Sequence, residues 1–326
     1  MRARAGLVAA LALGACSGQP PLPAHPLPAG PQIAVHAAPV PLSPAFPTAK
    51  ALGAFAYAGG VELTSADTAR LHGLSDLKIW PDGRLLSIGD EGDVFEARIV
   101  LDEAGRLAGV TEGKLYPLTG EDGQPLSARG KREADSEGVA ELVDGDRLVS
   151  LERDDRILLY PATGGPPRRA PSPNVVFPEN LGMEALAQDP ASGPDAYLVG
   201  GEASGQTWVC RLSAGCQDSF LVAKDEDFGL TALAPLPGGG RAYLLRAFSV
   251  LKGVRIILRV TGPDGATLNE LKLSAPYTVD NFEGLAALPQ PDGSIRFYLI
   301  SDDNFSKLQR TLLLAFDWRP HEGRKP

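Results

Sequence analysis

The chain repeats one pattern: a polar residue opens a short apolar run, the chain turns back, and a second polar residue closes the return run. The clearest copy is Asp280-Asn-Phe-Glu-Gly-Leu-Ala-Ala-Leu288, followed by a Pro291-Asp-Gly293 turn and a strand-like run, Ile295 to Ile300, that ends in Ser301-Asp-Asp-Asn304. Ser136-Glu-Gly-Val-Ala140 leads in the same way to Glu152, and Gly182-Met-Glu-Ala-Leu-Ala187 to Glu202. Weaker copies begin at Leu71-His-Gly-Leu-Ser75 and Gly229-Leu-Thr-Ala-Leu-Ala234. The opening residues His72, Glu137, Glu184, Thr231 and Glu283 are 65, 47, 47 and 52 apart, and Asp90, Glu152, Glu202, Arg246 and Asp302 close the units after 18, 15, 18, 15 and 19 residues. A period of about 40–50 residues with several short strands per unit is the sequence sign of a β-propeller. The expected fold is therefore all-β, a propeller of five blades, with six as the alternative if one divergent unit is hidden. The last unit counts only three strands. Phe55 to Thr64 supplies the fourth and closes the ring, which removes two exposed sheet edges.

This geometry has a chemical consequence. The innermost strands share one direction, so their first residues gather at one mouth of the channel. The antiparallel second strands bring their last residues back to it. Glu137, Glu184 and Glu283 are the expected ligands or general base. Asp90, Glu91, Glu152, Glu202, Asp302 and Asp303 are the expected metal ligands, and His72, Arg153 and Arg246 would hold substrate. Crowded carboxylates must be protonated, pair with arginine or bind a cation. Oxygen-only ligands in an irregular cage suit Ca²⁺ first, with Mg²⁺ or Mn²⁺ behind it. The competing reading is structural: a Glu before Gly at a strand start can accept backbone N–H groups of the next blade. Asp82, Asp264 and Asp292, each in a Pro-Asp-Gly turn, read as hairpin formers.

Other chemistries find little support. A net charge of −9 opposes nucleic-acid binding. There is no Gly-x-Ser-x-Gly elbow. His72 is the one histidine in the propeller body, since His25, His36 and His321 lie in the tails, so a histidine zinc site is not expected. Residues 119–134 break the rhythm with a polar insertion carrying Arg129, Lys131 and Arg132 just before Glu137. Long loops in compact folds are often functional.

Arg2 and Arg4 followed by an apolar run from Leu7 to Leu13 read as a targeting segment too short for a permanent membrane helix. It closes in Leu13-Gly-Ala-Cys16, which resembles a bacterial lipobox and makes Cys16 the expected lipidation site. The expected organisation is a signal segment over 1–16, a Pro-rich tether over 17–50, the propeller over 51–319 and a tail over 320–326. The expected location is the cell envelope, facing the periplasm from the outer membrane. Cys210 and Cys216 flank a Ser-Ala-Gly turn, and in an oxidising compartment a hairpin disulfide is the natural pairing.

Glu137-Gly-Val-Ala140 with Leu148-Val-Ser-Leu-Glu-Arg-Asp154, Asp280-Asn-Phe-Glu-Gly-Leu285, Ser301-Asp-Asp-Asn-Phe305 and Gln309-Arg-Thr-Leu-Leu-Leu314 together resemble the bacterial "esterase-like activity of phytase" family. Gly73-Leu-Ser75 with Gly89-Asp-Glu-Gly92 is similar to that family's opening motif, although Ile88-Gly-Asp-Glu91 departs from the two Asp after Ser that the family favours. The resemblance covers roughly residues 55–318. It implies a phytase-like, calcium-dependent hydrolase of phosphate or carboxylic esters. A non-catalytic scaffold holding an envelope partner and a lactonase-like metal hydrolase are the alternatives. The expected partner is a small ester or phosphoester, with the membrane reached only through the N-terminal lipid and the protein a monomer.

Overall fold

The computed structural model describes residues 31–320. Cys16 and the signal segment lie outside the described residues, as does most of the tail. Five four-stranded antiparallel sheets form five blades. Blade 1 comprises Leu74–Ile79, Arg84–Gly89, Asp93–Leu101 and Leu107–Pro117, and blade 2 comprises Ser136–Glu141, Arg147–Leu151, Arg156–Tyr160 and Arg168–Ala170. Blade 3 comprises Ala185–Gln188, Ala196–Gly200, Gln206–Arg211 and Gly215–Leu221. Blade 4 comprises Gly229–Pro235, Arg241–Ser249, Gly253–Thr261 and Thr267–Leu273. Blade 5 comprises Asn281–Pro289, Ile295–Asp302 and Leu312–Trp318, completed by Phe55–Thr64 from the start of the chain. The innermost strands touch in the cyclic order 1-2-3-4-5-1, so the ring is closed. This is the five-bladed propeller expected from the repeat, closed by the expected strand.

The core is distributed as such a ring demands. Five apolar clusters form, one in each interface between neighbouring blades. Successive strand residues point to opposite faces, and both faces of a blade are covered. Leu148 therefore packs toward blade 3 while Val149 packs toward blade 1, and strands in this position read as unbroken apolar runs.

Residues 31–50 lie along the propeller. His36–Pro39 pairs with Phe55–Thr64. Leu42 is fully buried, and its carbonyl accepts the N–H of Thr278. The insertion before blade 2 is ordered too, as a 3₁₀ turn at Leu126–Arg129 and a short helix at Lys131–Ala134. Leu126 and Ala134 anchor it in the interface between blades 1 and 2. The hairpin disulfide Cys210–Cys216 forms between register partners of blade 3.

Candidate active site at the channel mouth

A bulge re-aims the opening residue of most blades. Pairing between the first and second strands slips by one residue at Glu137, Thr231 and Glu283, while in blade 3 regular pairing starts just after Glu184. An unpaired bulge residue no longer has to follow the strand's alternation, so its side chain can turn toward the channel. In blade 1 the bulge falls at Ser75, three residues beyond His72. The ring of opening residues is therefore Ser75, Glu137, Glu184, Thr231 and Glu283. His72 lies outside it, its ring packed edge-on at 3.9 Å from that of Phe305, in a side groove with Asp303 and Gln309. Burial lowers its pKa to about 4 against the opposing pull of Asp303.

Glycine follows Glu137 and Glu283 because the neighbouring inner strand presses there. A Cβ on Gly284 would lie 2.7 Å from the Cα of Asp76, and one on Gly138 would lie 2.6 Å from the carbonyl oxygen of Glu184. Blade 1 has Asp76 at this small-residue position. Asp76 is buried. Its Oδ2 accepts the N–H of Val139 at 2.9 Å and an N–H of Lys78 at 3.3 Å, and its Oδ1 has no partner.

The mouth brings together Asp90, Asp135, Glu137, Glu152, Glu184, Glu202, Glu283 and Asp302. All but Glu137 are buried, and Glu137 is partly open to solvent. Three cations are set among them. Arg246 reaches Glu202 and Glu283 at 3.2 Å and Glu184 at 3.8 Å, and donates to the Asn281 amide oxygen at 2.7 Å. Lys131, from the insertion, pairs with Asp90 at 2.5 Å and Asp135 at 2.9 Å. Arg153 pairs with Asp135. None of these ion pairs reaches Glu137.

Burial is the first cause of the unusual acidities, and neighbouring carboxylates are the second. Together they raise Glu137, Glu184 and Asp302 well above the usual range. Burial also raises Glu283, although Arg246 opposes it. It lifts Asp90 to about 7 against Lys131, and Glu152 to about 7 against the N–H bond from Gly182.

Several carboxylates also brace the blades. Glu152 accepts the Gly182 N–H at 2.8 Å, tying blade 2 to the entry of blade 3. Asp303 spends its oxygens on the N–H groups of Gly73 and Phe305 and the hydroxyl of Thr311, at 3.1, 3.2 and 3.1 Å. Glu91 is half-buried beside Asp93, which pairs with Arg70. Arg153 and Arg246 are at the mouth, but both are occupied by carboxylates.

Asp135, Asn281 and Lys131 complete the site, and Asp135 and Lys131 were not among the expected site residues. Asp135, Glu137 and Glu152 each offer an oxygen within 4.8 Å of the other two. The Asn281 amide donates to Glu283 at 2.9 Å and Asp302 at 3.3 Å. A signal for Asp135 and Asn281 existed. The position two before the bulge is glycine in blades 1, 3 and 4 but Asp135 in blade 2 and Asn281 in blade 5. Where it is glycine it makes room for an outer carboxylate: a Cβ on Gly229 would lie 2.4 Å from Oε1 of Glu202.

A hard divalent cation fits these residues. The donors are all carboxylate oxygens, they outnumber the cations beside them, and Oδ1 of Asp90 is buried with no partner.

No curated protein matches the sequence. Among solved structures, the chain is similar to one described as a gluconolactonase, at 14% identity over 93% of this chain and 96% of that one, with a TM-score of 0.47. It is also similar to virginiamycin B lyase from Staphylococcus aureus, at 10% identity over 87% of this chain and 99% of that one, TM-score 0.43. A streptogramin B lyase matches at 11% identity over 87% and 98%, TM-score 0.41. A family profile matches residues 69–305, from the entry to blade 1 to the loop after Asp302. By that match the chain belongs to the phytase-like family described as esterase-like activity of phytase.

Proposed function

We propose that the channel mouth is the active site of a cation-dependent ester hydrolase. The observation that carries this reading is the convergence of Asp135, Glu137 and Glu152 on one small volume, with Glu137 half-buried and reached by none of the neighbouring cations. Those three residues would hold the cation, Ca²⁺ by preference, with Mg²⁺ or Mn²⁺ as alternatives. Such an ion supplies polarisation of an ester oxygen and a lowered pKa for bound water. Glu184, whose carboxyl burial pushes well above the usual range, would be the group to donate a proton to a leaving oxygen. Arg246 and Asn281 hold Glu283 in one orientation.

The charge balance bears on the substrate. Arg246, Arg153 and Lys131 are each spent on carboxylates of the site. A polyanion such as phytate would meet no free cation there, so a carboxylic ester or a simple phosphomonoester suits the mouth better. The proposal includes an envelope location with a lipid on Cys16.

The test is a panel of chromogenic acetate, butyrate and phosphate esters, with Ca²⁺ and with chelator. Turnover that chelator abolishes and Glu137→Gln removes supports the reading. Turnover indifferent to chelator, or equal in Glu137→Gln, sinks it.

A further inference from the structure

The exposed apolar side chains of this propeller collect at one end. The three most exposed large ones among the described residues are Val176, Leu251 and Leu308, at 98%, 96% and 93%. Each sits on a connection at the mouth side. The turn between Arg241–Ser249 and Gly253–Thr261 continues a strand that has already passed Arg246, and it carries Val250 and Leu251. Leu308 lies in the loop that follows Asp302. Val176 lies in the connection that leads from blade 2 to Glu184. Phe248, on the same projecting strand, is also exposed. At the opposite end Val143 is the most exposed large apolar residue, at 65%.

Isolated exposed apolar residues need no explanation. A concentration on loop tips around one opening does. The tips belong to three separate connections, which is poor design for a flat protein interface but suits a fluid phase that each tip enters alone. Exposed Lys252 follows Leu251 and exposed Lys307 precedes Leu308. Lysine beside an apolar tip can keep its ammonium among phosphates while its stem lies along the apolar layer.

The start of the described chain points the same way. The carbonyl of Pro31 accepts the N–H of Leu115, near the mouth-side end of the outermost strand of blade 1. Fifteen residues of chain from Cys16 to Pro31 reach at most about 50 Å, so a lipid on Cys16 would tether the domain to the bilayer from its mouth-side end.

We propose that the mouth face docks on a phospholipid bilayer, with Leu251, Leu308 and Val176 entering the interface and Lys252 and Lys307 among the headgroups. The channel mouth then opens toward the membrane. This holds whether or not the mouth hydrolyses esters.

The test uses the full chain incorporated into phosphatidylcholine vesicles, with tryptophan placed singly as Leu251→Trp, Leu308→Trp or Val143→Trp. All three sites are exposed, so the fold tolerates the change. Brominated lipid should quench the added emission at 251 and 308 at least twofold more than at 143. A further Leu251→Asp change in the Leu308→Trp protein should lower the quenching at 308. Equal quenching at all three positions overturns the proposal. So does shielding at 251 that persists in detergent micelles and grows with protein concentration, since a second copy would then be the cover.

Discussion

The two ends of the channel are built from the same five inner strands and could hardly differ more. The starting ends carry buried carboxylates held apart by Arg246 and Lys131. The finishing ends line an open cavity of about 620 Å³ whose walls are mostly apolar, among them Ile79, Leu142, Ala187, Leu236 and Leu288. Acidic residues occur at both ends, but in opposite states. Asp82 and Asp292, in the turns of the finishing end, are exposed, and hydrogen bonds from Arg84 and Ser294 respectively hold their pKa down. At the mouth, burial drives carboxyl groups up. The difference teaches that the residue type is not the signal. An Asp that caps its own turn is satisfied locally, whereas a carboxylate aimed into a ring of carboxylates stores a demand for protons or cations.

The largest test of this contrast is catalytic. On the proposed reading, Glu137→Gln should lower ester turnover by about a hundredfold or more, in the range typical of losing a positioned base or ligand. Glu141→Gln, four residues along the same strand at the finishing end, should leave it within about twofold. Equal losses would erase the distinction between the ends. Arg246→Met should come next, as a stability effect. It strips the cation from Glu184, Glu202 and Glu283 together, and breaking a buried pair from one side costs roughly 3–5 kcal/mol. Thermal unfolding of the purified variant at pH 8 reads this directly, and an unchanged midpoint would mean the three carboxylates are not in fact uncompensated.

A third outcome follows from linkage. Asp90 and Glu152 have folded pKa values raised to about 7, above the 3.9–4.3 of an unfolded chain. Between those limits the folded state binds more protons, so stability falls as pH rises through the window and the penalty is complete above it. Without divalent ions the protein should therefore melt higher at pH 5.5 than at pH 8, by an amount on the order of 1–3 kcal/mol. Ca²⁺ should help most at pH 8. His72, with its lowered pKa, acts in the other direction, because its half-buried neutral ring loses stability as pH falls from about 6.5 toward 4. Replacing His72 by Gln should therefore steepen the gain on acidification. A melting temperature flat from pH 5.5 to 8, with and without Ca²⁺, would contradict the stored demand.

Much of this was legible before any coordinates. The period gave the blade count, and the three-strand deficit of the last unit named Phe55–Thr64 as the closing strand. Glu137, Glu184 and Glu283 do meet, because each opens the inner strand of its blade in a closed ring. What failed in blade 1 was register. His72 fits the spacing of polar residues, but strand pairing puts the bulge at Ser75, and a bulge is decided by hydrogen-bond partners that no residue type announces. Asp135 and Lys131 were obscured by the insertion. The repeat predicts nothing about a segment that only one unit has, and its short helix is fixed by Leu126 and Ala134 entering a core shared by two blades. Asp303 looked like a ligand because it follows Asp302. Its oxygens instead accept the N–H of Gly73, 230 residues away in the chain, and the N–H of Phe305 and hydroxyl of Thr311 in its own loop.

The smallest expected effect is the cleanest control. Asp264 sits in the Pro263-Asp-Gly265 turn at the finishing end, and its Oδ1 accepts the N–H of Ala266 at 3.0 Å. Asp264→Ala removes that one local bond from an exposed turn, where the loss is about 0.5–1 kcal/mol because water replaces the acceptor. The turn itself should survive, since Gly265 keeps its positive φ of 80° and its N–H bond to the Gly262 carbonyl. The melting temperature should fall by a few degrees at most, equally at pH 5.5 and pH 8 and equally with and without Ca²⁺. Ester turnover should not change. If instead the variant lost its response to Ca²⁺, the finishing end would be coupled to the mouth through the strands, and acidic residues at the two ends could no longer be treated as separate populations.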